Sequence, residues 1–433
     1  MADPKFKPIH IAIIGGGIGG VILGIALAKF QHITFTIYES RAAFGEIGAG
    51  IGFGANSHLA MSLISPAIWE GYKSRATYNG WVEKQDTWFD FSFGEKGEND
   101  GKRIIEVRMR EKMTQSTAHR AHFLEILVKL LPEGKTEFNK RLVNVDQSGE
   151  KVICEFADGT RAKADAVIGC DGIKSSTRPF VYDHQDELVK PIFTKKVAYR
   201  GLVPMKAAEA ALGPEKANNR QMYIGHGGHV LTFPIANGTL MNVVAFRSYT
   251  KEWEGEWVKP LQKENAQGAF PDSHWGKNIV TIMEDETDSF FKLIQNPDAW
   301  AIFQHPEVST FHQDRISLLG DAAHAMTPHF GQGAGMAIED AYVLSNLLGE
   351  CTSTADLVTA FEAYDSVRVP RTMRVTSASH EQGKVLDLEG DDIGDDMEKL
   401  AARLNTAVRW IWYEDMEAHL ATAKQKIDSL KHK

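Results

Sequence analysis

The chain has 433 residues, a formal net charge of −9 and 43% hydrophobic residues, which together indicate a folded protein of two or three domains. The acidic balance, without a basic stripe, argues against a nucleic-acid partner. Three scattered cysteines argue against a disulfide framework, and no apolar run is long enough to span a membrane. Since the N-terminus also lacks a signal peptide, we expect a cytoplasmic protein.

The first predicted element is a strand near the N-terminus that runs into a glycine turn. Gly15, Gly17 and Gly20 follow this strand and open a helix of small residues, and a second strand, 33–38, ends at Glu39. Glycines at this spacing allow a tight turn and a close approach to a pyrophosphate, and the carboxylate can bind a ribose. The unit predicts a dinucleotide site, although a glycine-rich turn in an ordinary α/β protein would account for the glycines alone.

The next segments alternate glycine-rich loops with short regular elements. A second glycine-rich stretch spans residues 44–54, and residues 80–112 alternate aromatic and polar side chains as strands do. The periodicity of residues 119–131 predicts an amphipathic helix, and residues 141–168 predict a meander of short strands. An apolar strand then ends at Asp171-Gly172, which places another acid where ligands bind at the ends of parallel strands.

The middle of the chain predicts a second domain. Residues 196–246 show strand signals separated by glycine and asparagine turns, which indicates an antiparallel sheet, and residues 250–300 are predicted largely helical. A strand of the first-domain type returns at 316–320, so we expect the first domain to be discontinuous. The predicted fold is α/β, with a Rossmann-like domain from residues 9–80, 103–185 and 310–350, a β-sheet substrate domain at 186–309 and a C-terminal helical region at 351–433.

A third motif follows the returning strand. Asp321 comes directly after Gly320 and can hydrogen-bond a ribose or ribityl hydroxyl. The turn 331–335, which contains Gly333 and Ala334, opens another helix, whose N-terminal dipole can stabilise an anionic ligand. His329 lies between the two, where an imidazole can accept a proton near pH 7.

These three motifs, in this order, resemble the group A flavin-dependent aromatic hydroxylases, and in particular their salicylate hydroxylase branch. The dearomatising polyketide hydroxylases are similar over the same stretches but tend to carry a tyrosine where this chain has Phe233. The stretches that carry the resemblance are residues 44–50, 119–123, 198–201, 229–234, 320–326 and 409–412.

The resemblance implies a monooxygenase with resident FAD and a transient NADH or NADPH. Reduced flavin would react with O₂ to give a C4a-hydroperoxide, which an electron-rich carbon of a phenol attacks. The expected reaction converts salicylate to catechol with loss of CO₂. Two alternatives stay open, which are hydroxylation of a larger phenol or polyketide without decarboxylation, and an FAD-binding electron-transfer or interaction protein without hydroxylase activity. The expected partner is a small aromatic substrate, and the protein is expected to be a monomer or homodimer.

The motifs and the resemblance together select the candidate site residues. Asp171 could instead cap a helix, Arg120 could pair with Glu125, Arg200 could form a structural ion pair, and each histidine could be a satisfied buried imidazole. No histidine spacing matches a metal site, so no metal is expected. The candidates for FAD are Gly15, Gly17, Gly20, Glu39, Arg120, Asp171, Asp321, Gly333 and Ala334; those for catalysis are His329, Arg200 and His229; those for substrate binding are Arg200, His226, His229, Phe233 and Pro328.

Overall fold

The computed structural model describes residues 7–45, 50–110, 115–271, 273–283, 297–390 and 393–431. Residues 46–49 of the second glycine-rich stretch and parts of each predicted domain therefore lie outside the described residues. The β-strands are, in chain order, β1 (Ile9–Ile14), β2 (Ile33–Tyr38), β3 (Gly50–Phe53), β4 (Thr87–Phe93), β5 (Arg103–Arg108), β6 (Ser116–His119), β7 (Thr136–Glu137), β8 (Leu142–Asp146), β9 (Val152–Phe156), β10 (Arg161–Ala164), β11 (Ala166–Gly169), β12 (Ile192–Pro204), β13 (Gln221–Gly225), β14 (Gly228–Ile235), β15 (Leu240–Ser248), β16 (Val258–Lys259), β17 (Asp298–Gln304), β18 (His312–Gln313) and β19 (Ile316–Leu318).

The helices are distributed over the whole chain, and the longest lies near its C-terminal end. In chain order they are α1 (Ile18–Leu27), α2 (Ala55–Ile64), α3 (Pro66–Lys73), α4 (Arg120–Leu130), α5 (Arg178–Val181), α6 (Asp186–Val189), α7 (Met205–Leu212), α8 (Pro214–Asn218), α9 (Lys263–Ala269), α10 (Lys277–Met283), α11 (Asp321–His324), α12 (Gly333–Gly349), α13 (Leu357–Leu386), α14 (Met397–Thr406), α15 (Arg409–Trp412) and α16 (Met416–Lys431).

A six-stranded sheet, in the order β18-β19-β11-β1-β2-β7, forms the first layer. All its strands run parallel except the edge strand β18. The central strands are apolar and almost fully buried, as a parallel sheet covered on both faces requires. Because β19 pairs directly with β11, the late strand belongs to the same sheet as β1 and β2.

An eight-stranded sheet, in the order β16-β17-β12-β15-β14-β13-β4-β5, forms the second layer. Its pairs are antiparallel except β13 with β4. The predicted domain boundary at residue 103 is wrong, because β5 (Arg103–Arg108) pairs with β4 in this sheet. The largely helical character predicted for residues 250–300 holds for α9 and α10, whereas β16 and β17 pair with each other. Alternating polarity predicted strands at 80–112 but could not identify their sheet.

The smaller elements follow the sequence pattern closely. The predicted meander forms the three-stranded sheet β10-β9-β8, and α4 begins at Arg120 as the periodicity of residues 119–131 indicates. Among the described residues, no helix combines the length and the apolar character that crossing a bilayer requires. The described residues also hold no cluster of three or more histidine, cysteine, aspartate or glutamate side chains suited to a metal ion.

The C-terminal region packs into the centre of the molecule through buried charges on α13. Arg371 bonds to both carboxylate oxygens of Glu339 on α12, at 2.7 and 2.8 Å. Arg368 bonds to Glu339 at 2.8 Å and to Asp340 at 2.7 Å. We call Glu339, Asp340, Arg368 and Arg371 the core network. Burial would raise the pKa of Glu339, but the two arginines lower it to about 2.

Candidate active site

A cavity of about 600 Å³ lies where the carboxyl ends of the six-stranded sheet meet one face of the eight-stranded sheet. Its size is typical of a cofactor or ligand site. The lining residues include the first glycine turn, the Asp171 and Asp321 motifs, and side chains from β12, β13, β14 and β15. The three motifs that lie far apart in sequence therefore converge on one space, as the rule for ligand sites in α/β sheets requires.

The glycine turn after β1 is built so that only glycine fits. Gly15 has a φ of +106°, and a Cβ there would lie 2.5 Å from the carbonyl oxygen of Cys170. A Cβ on Gly20 would lie 2.1 Å from the carbonyl oxygen of Gly15, so this glycine lets α1 approach the turn without lining the cavity. Gly17 precedes α1, and no side chain caps this helix. The N-terminal amides of α1 thus face a cavity suited to an anionic group.

Glu39 lies at the end of β2 and lines the same cavity. Its carboxylate accepts hydrogen bonds from the backbone of Gly16 at 2.7 Å and of Arg41 at 2.8 Å. These bonds fix the carboxylate beside the glycine turn. The position agrees with the ribose-binding role expected for Glu39, which stays a prediction.

Asp171 also lines the cavity, but its carboxylate is engaged by the chain itself. It accepts hydrogen bonds from the Ser175 hydroxyl at 2.6 Å and from the backbone of Ser176 and Thr177 at 2.7 and 3.0 Å. Asp171 therefore caps the turn that leads into α5 but is not the N-cap of that helix, which is Thr177. Burial nevertheless raises the pKa of Asp171 above its usual value, although these hydrogen bonds lower it.

Asp321 and the start of α12 form the opposite end of the cavity. Asp321 follows Gly320, whose φ of +65° reverses the chain after β19. One Asp321 carboxylate oxygen lies close to Gly333, since a Cβ built on Gly333 would be 3.6 Å from it. Gly333 and Ala334 line the cavity at the first turn of α12, a helix that no side chain caps. The two parts of the third motif therefore lie together at the cavity, while their contacts with a ligand stay a prediction.

Two arginines face the cavity from opposite layers. Arg120 begins α4, and Arg200 lies on β12 with its guanidinium 5.1 Å from the centre of the Trp300 ring. Burial lowers the pKa of Arg200, the nearby Arg120 charge lowers it further, and Asp298 raises it. The positive charges of Arg120 and Arg200 make this side of the cavity attractive to a carboxylate or phosphate.

The floor of the cavity is apolar and follows the register of the eight-stranded sheet. Cross-strand neighbours lie on the same face of a sheet. One row joins Met222, Leu231, Val244 and Arg200, and the next joins His229 and Phe246. Phe233 and Pro328 also line the wall, and their substrate-binding role stays a prediction.

Two buried histidines meet beside this floor. The ring of His229 stacks on Phe246 at 4.6 Å between centres, and the His329 ring lies 5.2 Å from His229 in an edge-on contact. Burial lowers the pKa of His329 well below its usual value; the charges of Lys196 and the other histidines lower it further, and Asp387 opposes them. His329 is therefore neutral at physiological pH and can accept a proton.

The structure does not bring His226 to the cavity. His226 lies in the turn between β13 and β14, and its Nδ1 is 2.9 Å from Glu95 on the exposed surface. The substrate-binding role predicted for His226 is therefore corrected, because a residue at the tip of a two-residue hairpin turn points away from the face that its strands present.

Arg220 is a cavity residue that the sequence did not single out. It precedes β13, is 1% exposed and lines the cavity. Within the described residues, none of its three guanidinium nitrogens has a hydrogen-bond partner. Burial lowers its pKa to about 10, so it stays charged. An unpaired buried guanidinium is costly, so we expect a ligand oxygen to bind it. Its only sequence signal was an arginine directly before an apolar strand.

The residues present fit FAD. The glycine cradle closes against Cys170, the uncapped starts of α1 and α12 offer backbone amides, and carboxylates lie at Glu39 and Asp321. The glycine cradle and the amides of α1 match a pyrophosphate, the carboxylates match hydroxyl groups, and the amides of α12 match an anionic ring. Gly50 adds a close approach, since a Cβ there would lie 2.8 Å from the Phe233 ring.

Comparison with known proteins gives one family. A family profile described as an FAD binding domain matches residues 102–379. A 6-methylsalicylate 1-monooxygenase from Aspergillus terreus is 37% identical over 414 residues, which cover 94% of this chain and 90% of that protein. A salicylate hydroxylase from Pseudomonas putida is 37% identical over 434 residues, with 97% and 95% covered.

A solved structure agrees with the sequence comparisons. A salicylate hydroxylase substrate complex superposes with a TM-score of 0.85 at 33% identity, over 96% of this chain and 98% of that one. These matches confirm the predicted α/β fold and FAD as the predicted cofactor. The chain belongs to the FAD-dependent aromatic monooxygenases, in the group that contains the salicylate hydroxylases.

Proposed function

We propose that this enzyme hydroxylates salicylate, or a close o-hydroxybenzoate, at the carbon that bears the carboxylate, and so forms catechol and CO₂. The electrons come from NADH or NADPH, one oxygen atom of O₂ enters the ring and the other leaves as water. The observation that carries the proposal is the pairing of a cationic side, at Arg200, with two buried histidines across an apolar floor. The names of the relatives from Aspergillus terreus and Pseudomonas putida support the same substrate class.

The proposed roles of the side chains follow from their positions. Arg200 binds the substrate carboxylate through charge-assisted hydrogen bonds. The ring lies on Leu231, Val244 and Phe233, which exclude water from it. His329 accepts the phenolic proton, because a phenolate ring is richer in electrons than a phenol ring.

The proposed cofactor site uses the other half of the cavity. FAD would supply hydride acceptance and O₂ activation when bound. Gly15 and Gly17 would bind its pyrophosphate with the start of α1, Glu39 its adenosine ribose, and Asp321 its ribityl chain. Arg120, Gly333 and Ala334 would contact the remainder, with Asp171 acting through the turn that it caps. We further propose a cytoplasmic protein that acts as a monomer or homodimer on a small aromatic partner.

Product analysis tests this proposal. The purified holoenzyme is incubated with salicylate and either NADH or NADPH, and catechol, CO₂, H₂O₂ and nicotinamide oxidation are measured together. We expect one catechol and one CO₂ for each nicotinamide oxidised. Nicotinamide oxidation that yields only H₂O₂ would show that salicylate is an effector. A dihydroxybenzoate product would contradict decarboxylation and favour ring hydroxylation of a larger phenol.

A further inference from the structure

A buried chain of charged groups leads from the cavity to the end of α13. His229 Nδ1 lies 2.5 Å from Asp387 Oδ1, and both side chains are fully buried. The other oxygen of Asp387 pairs with Lys196 on β12. Lys196 also bonds to Glu389 at 2.9 Å and to the hydroxyl of Ser248 at 3.0 Å. We call Lys196, His229, Asp387 and Glu389 the cavity network.

The hydrogen bond to Asp387 determines which nitrogen of His229 carries the proton. Burial would raise the pKa of Asp387, but His229 and Lys196 lower it below its usual value, so the group is a carboxylate. A carboxylate only accepts hydrogen bonds, so the Nδ1 of His229 must donate. The neutral ring then carries its lone pair on Nε2, on the other side of the ring, and this atom is buried without a partner in the part of the chain that the structure describes.

The ring of His329 lies against that of His229 in an edge-on contact, with 5.2 Å between the ring centres. Its own Nδ1 is also buried without a hydrogen-bond partner among the residues described. The ring packs on α13, because a Cβ built on Gly383 would lie 2.5 Å from it. The helix that presents Asp387 therefore also positions His329.

The backbone after α13 orients the carboxylates of Asp387 and Glu389. Leu388 has a φ of +53°, a left-handed conformation that side chains rarely adopt. The turn brings the amide of Glu389 back to Lys384 at 2.9 Å, and the carbonyl of Asp387 accepts the amide of Gly227 at 2.8 Å. The second bond ties the end of α13 to the hairpin that carries His229.

We propose that Asp387, held by Lys196, is a positioning residue that keeps His229 as the Nδ1–H tautomer, so that His229 and His329 form a proton relay for the phenolic substrate. The O–H bond of the bound phenol breaks and its proton passes to His329 and then to His229 Nε2. The phenolate keeps the electron pair, and the Asp387 carboxylate offsets the new imidazolium charge. The inference rests on the proposed phenolic substrate.

The charged and titratable groups that face the His229–His329 pair come from three elements. Lys196 belongs to β12, while Asp387, Glu389 and His380 belong to α13 and the turn after it. Two of these groups act on His229 with opposite signs. The negative charge of Asp387 attracts a proton at His229, and the positive charge of Lys196 repels it.

This opposition gives a test that a merely structural role would not pass. A nitro-substituted salicylate, whose phenolate absorbs visible light and whose phenol does not, is bound to oxidised holoenzyme, and its apparent pKa is measured by titration. In Asp387→Asn we expect this apparent pKa to rise by about one unit, a tenfold weaker ionisation. In Asp387→Glu we expect partial recovery. In Lys196→Met we expect the apparent pKa to fall, because the field at His229 becomes more negative.

Asp387→Asn and Lys196→Met both remove buried hydrogen bonds. A merely structural role of this network therefore predicts that the apparent pKa of the probe rises in both variants. Equal shifts of the same sign, or no shift in Asp387→Asn, would overturn the inference. If Asp387→Asn does not fold, the sign of the Lys196→Met shift decides alone. Failure of the wild-type enzyme to bind the probe as phenolate would contradict the proposed function instead. Asp365→Asn serves as the matched control, since Asp365 pairs with His312 at 2.8 Å outside the cavity, and it should leave the apparent pKa unchanged.

Discussion

The core network involves the middle of α13 and the cavity network involves the turn directly after it, and the two differ in how completely they are paired. In the core network, both arginines bind carboxylates of α12, and Arg371 also reaches Glu414 at 2.7 Å. In the cavity network, the chain of bonds ends at His229 Nε2, which has no partner among the residues described. A buried polar group without a partner reduces stability, so it persists where a ligand completes it. The two networks thus differ in that one is paired within the protein and the other leaves a buried polar atom for a ligand.

The largest expected effect breaks the core network. Arg371→Met leaves the Glu339 carboxylate buried with one cation fewer, which should cost about 3–5 kcal/mol of unfolding free energy. Urea unfolding followed by circular dichroism measures this loss. The matched control is Arg374→Met, because Arg374 lies on the same helix and contacts the Trp410 ring at 4.0 Å instead of a buried carboxylate. Equal losses of unfolding free energy in Arg371→Met and Arg374→Met would contradict a special contribution of the core network to stability.

The second effect tests the cavity side directly. His329→Asn removes the proposed proton acceptor and should lower kcat by about 100-fold or more, with FAD content retained. Steady-state kinetics with salicylate, together with flavin absorbance, measures both quantities. A loss of FAD in proportion to the loss of activity would instead assign His329 to cofactor binding.

The third effect concerns substrate charge. Arg200→Met should raise the KM for salicylate by about 10- to 100-fold, since one charge-assisted hydrogen bond contributes about 1.5–3 kcal/mol. The affinity of the apoenzyme for FAD should not change. Arg220→Met is the comparison variant, and a larger KM increase in it would place the carboxylate at Arg220. Equal losses of FAD and salicylate affinity in Arg200→Met would indicate a structural role.

The fourth effect is a pH dependence of stability. Burial lowers the pKa of His305 to about 3, and the charges of Arg178 and His324 contribute. Below pH 6.5 the unfolded chain binds a proton that folded His305 does not, so stability is full above pH 6.5 and falls as the pH falls toward 3. Each such histidine contributes about 1.4 kcal/mol per pH unit in this window. His305→Leu should reduce the slope of unfolding free energy against pH by that amount, and an unchanged slope would contradict it.

The smallest effect tests the corrected position of His226. His226→Asn should leave kcat and KM for salicylate within about twofold of the wild type, because surface substitutions rarely matter. The same steady-state assay measures it. A tenfold rise in KM would return His226 to the substrate site.

The sequence predicted the parts of the molecule that depend on local signals. The Gly15 turn, α4 and the strand before Asp321 each follow from spacing or periodicity within a few residues. The boundary at residue 103 failed because alternation shows that β5 is a strand but not which sheet it joins. His226 was included because it neighbours His229 in sequence, whereas strand alternation and the hairpin turn separate their side chains.

The unpredicted site residues share a different cause. Asp387 and Lys196 are separated by 191 residues. No sequence motif at either residue indicates that the two form an ion pair. Arg220 is exceptional only because it is buried without a partner, a property that exists only in the folded chain. Sequence patterns predict contacts between residues that are close together in the chain. The cavity network is formed by residues that are far apart in the chain, so no such pattern predicts it.

The position of β19 late in the chain affects how the protein folds during its synthesis. On the ribosome, β1 and β2 emerge first, yet β1 must wait for β11 at residues 166–169, and β11 must wait for β19 at 316–318. Pairing across such separations is slow, and the unpaired edges of apolar strands are prone to aggregate meanwhile. The parallel sheet can close only after roughly three quarters of the chain has been synthesised, and Asp387 reaches His229 later still. Translation speed and chaperone supply should therefore govern the yield of active enzyme more strongly than the stability of the finished fold.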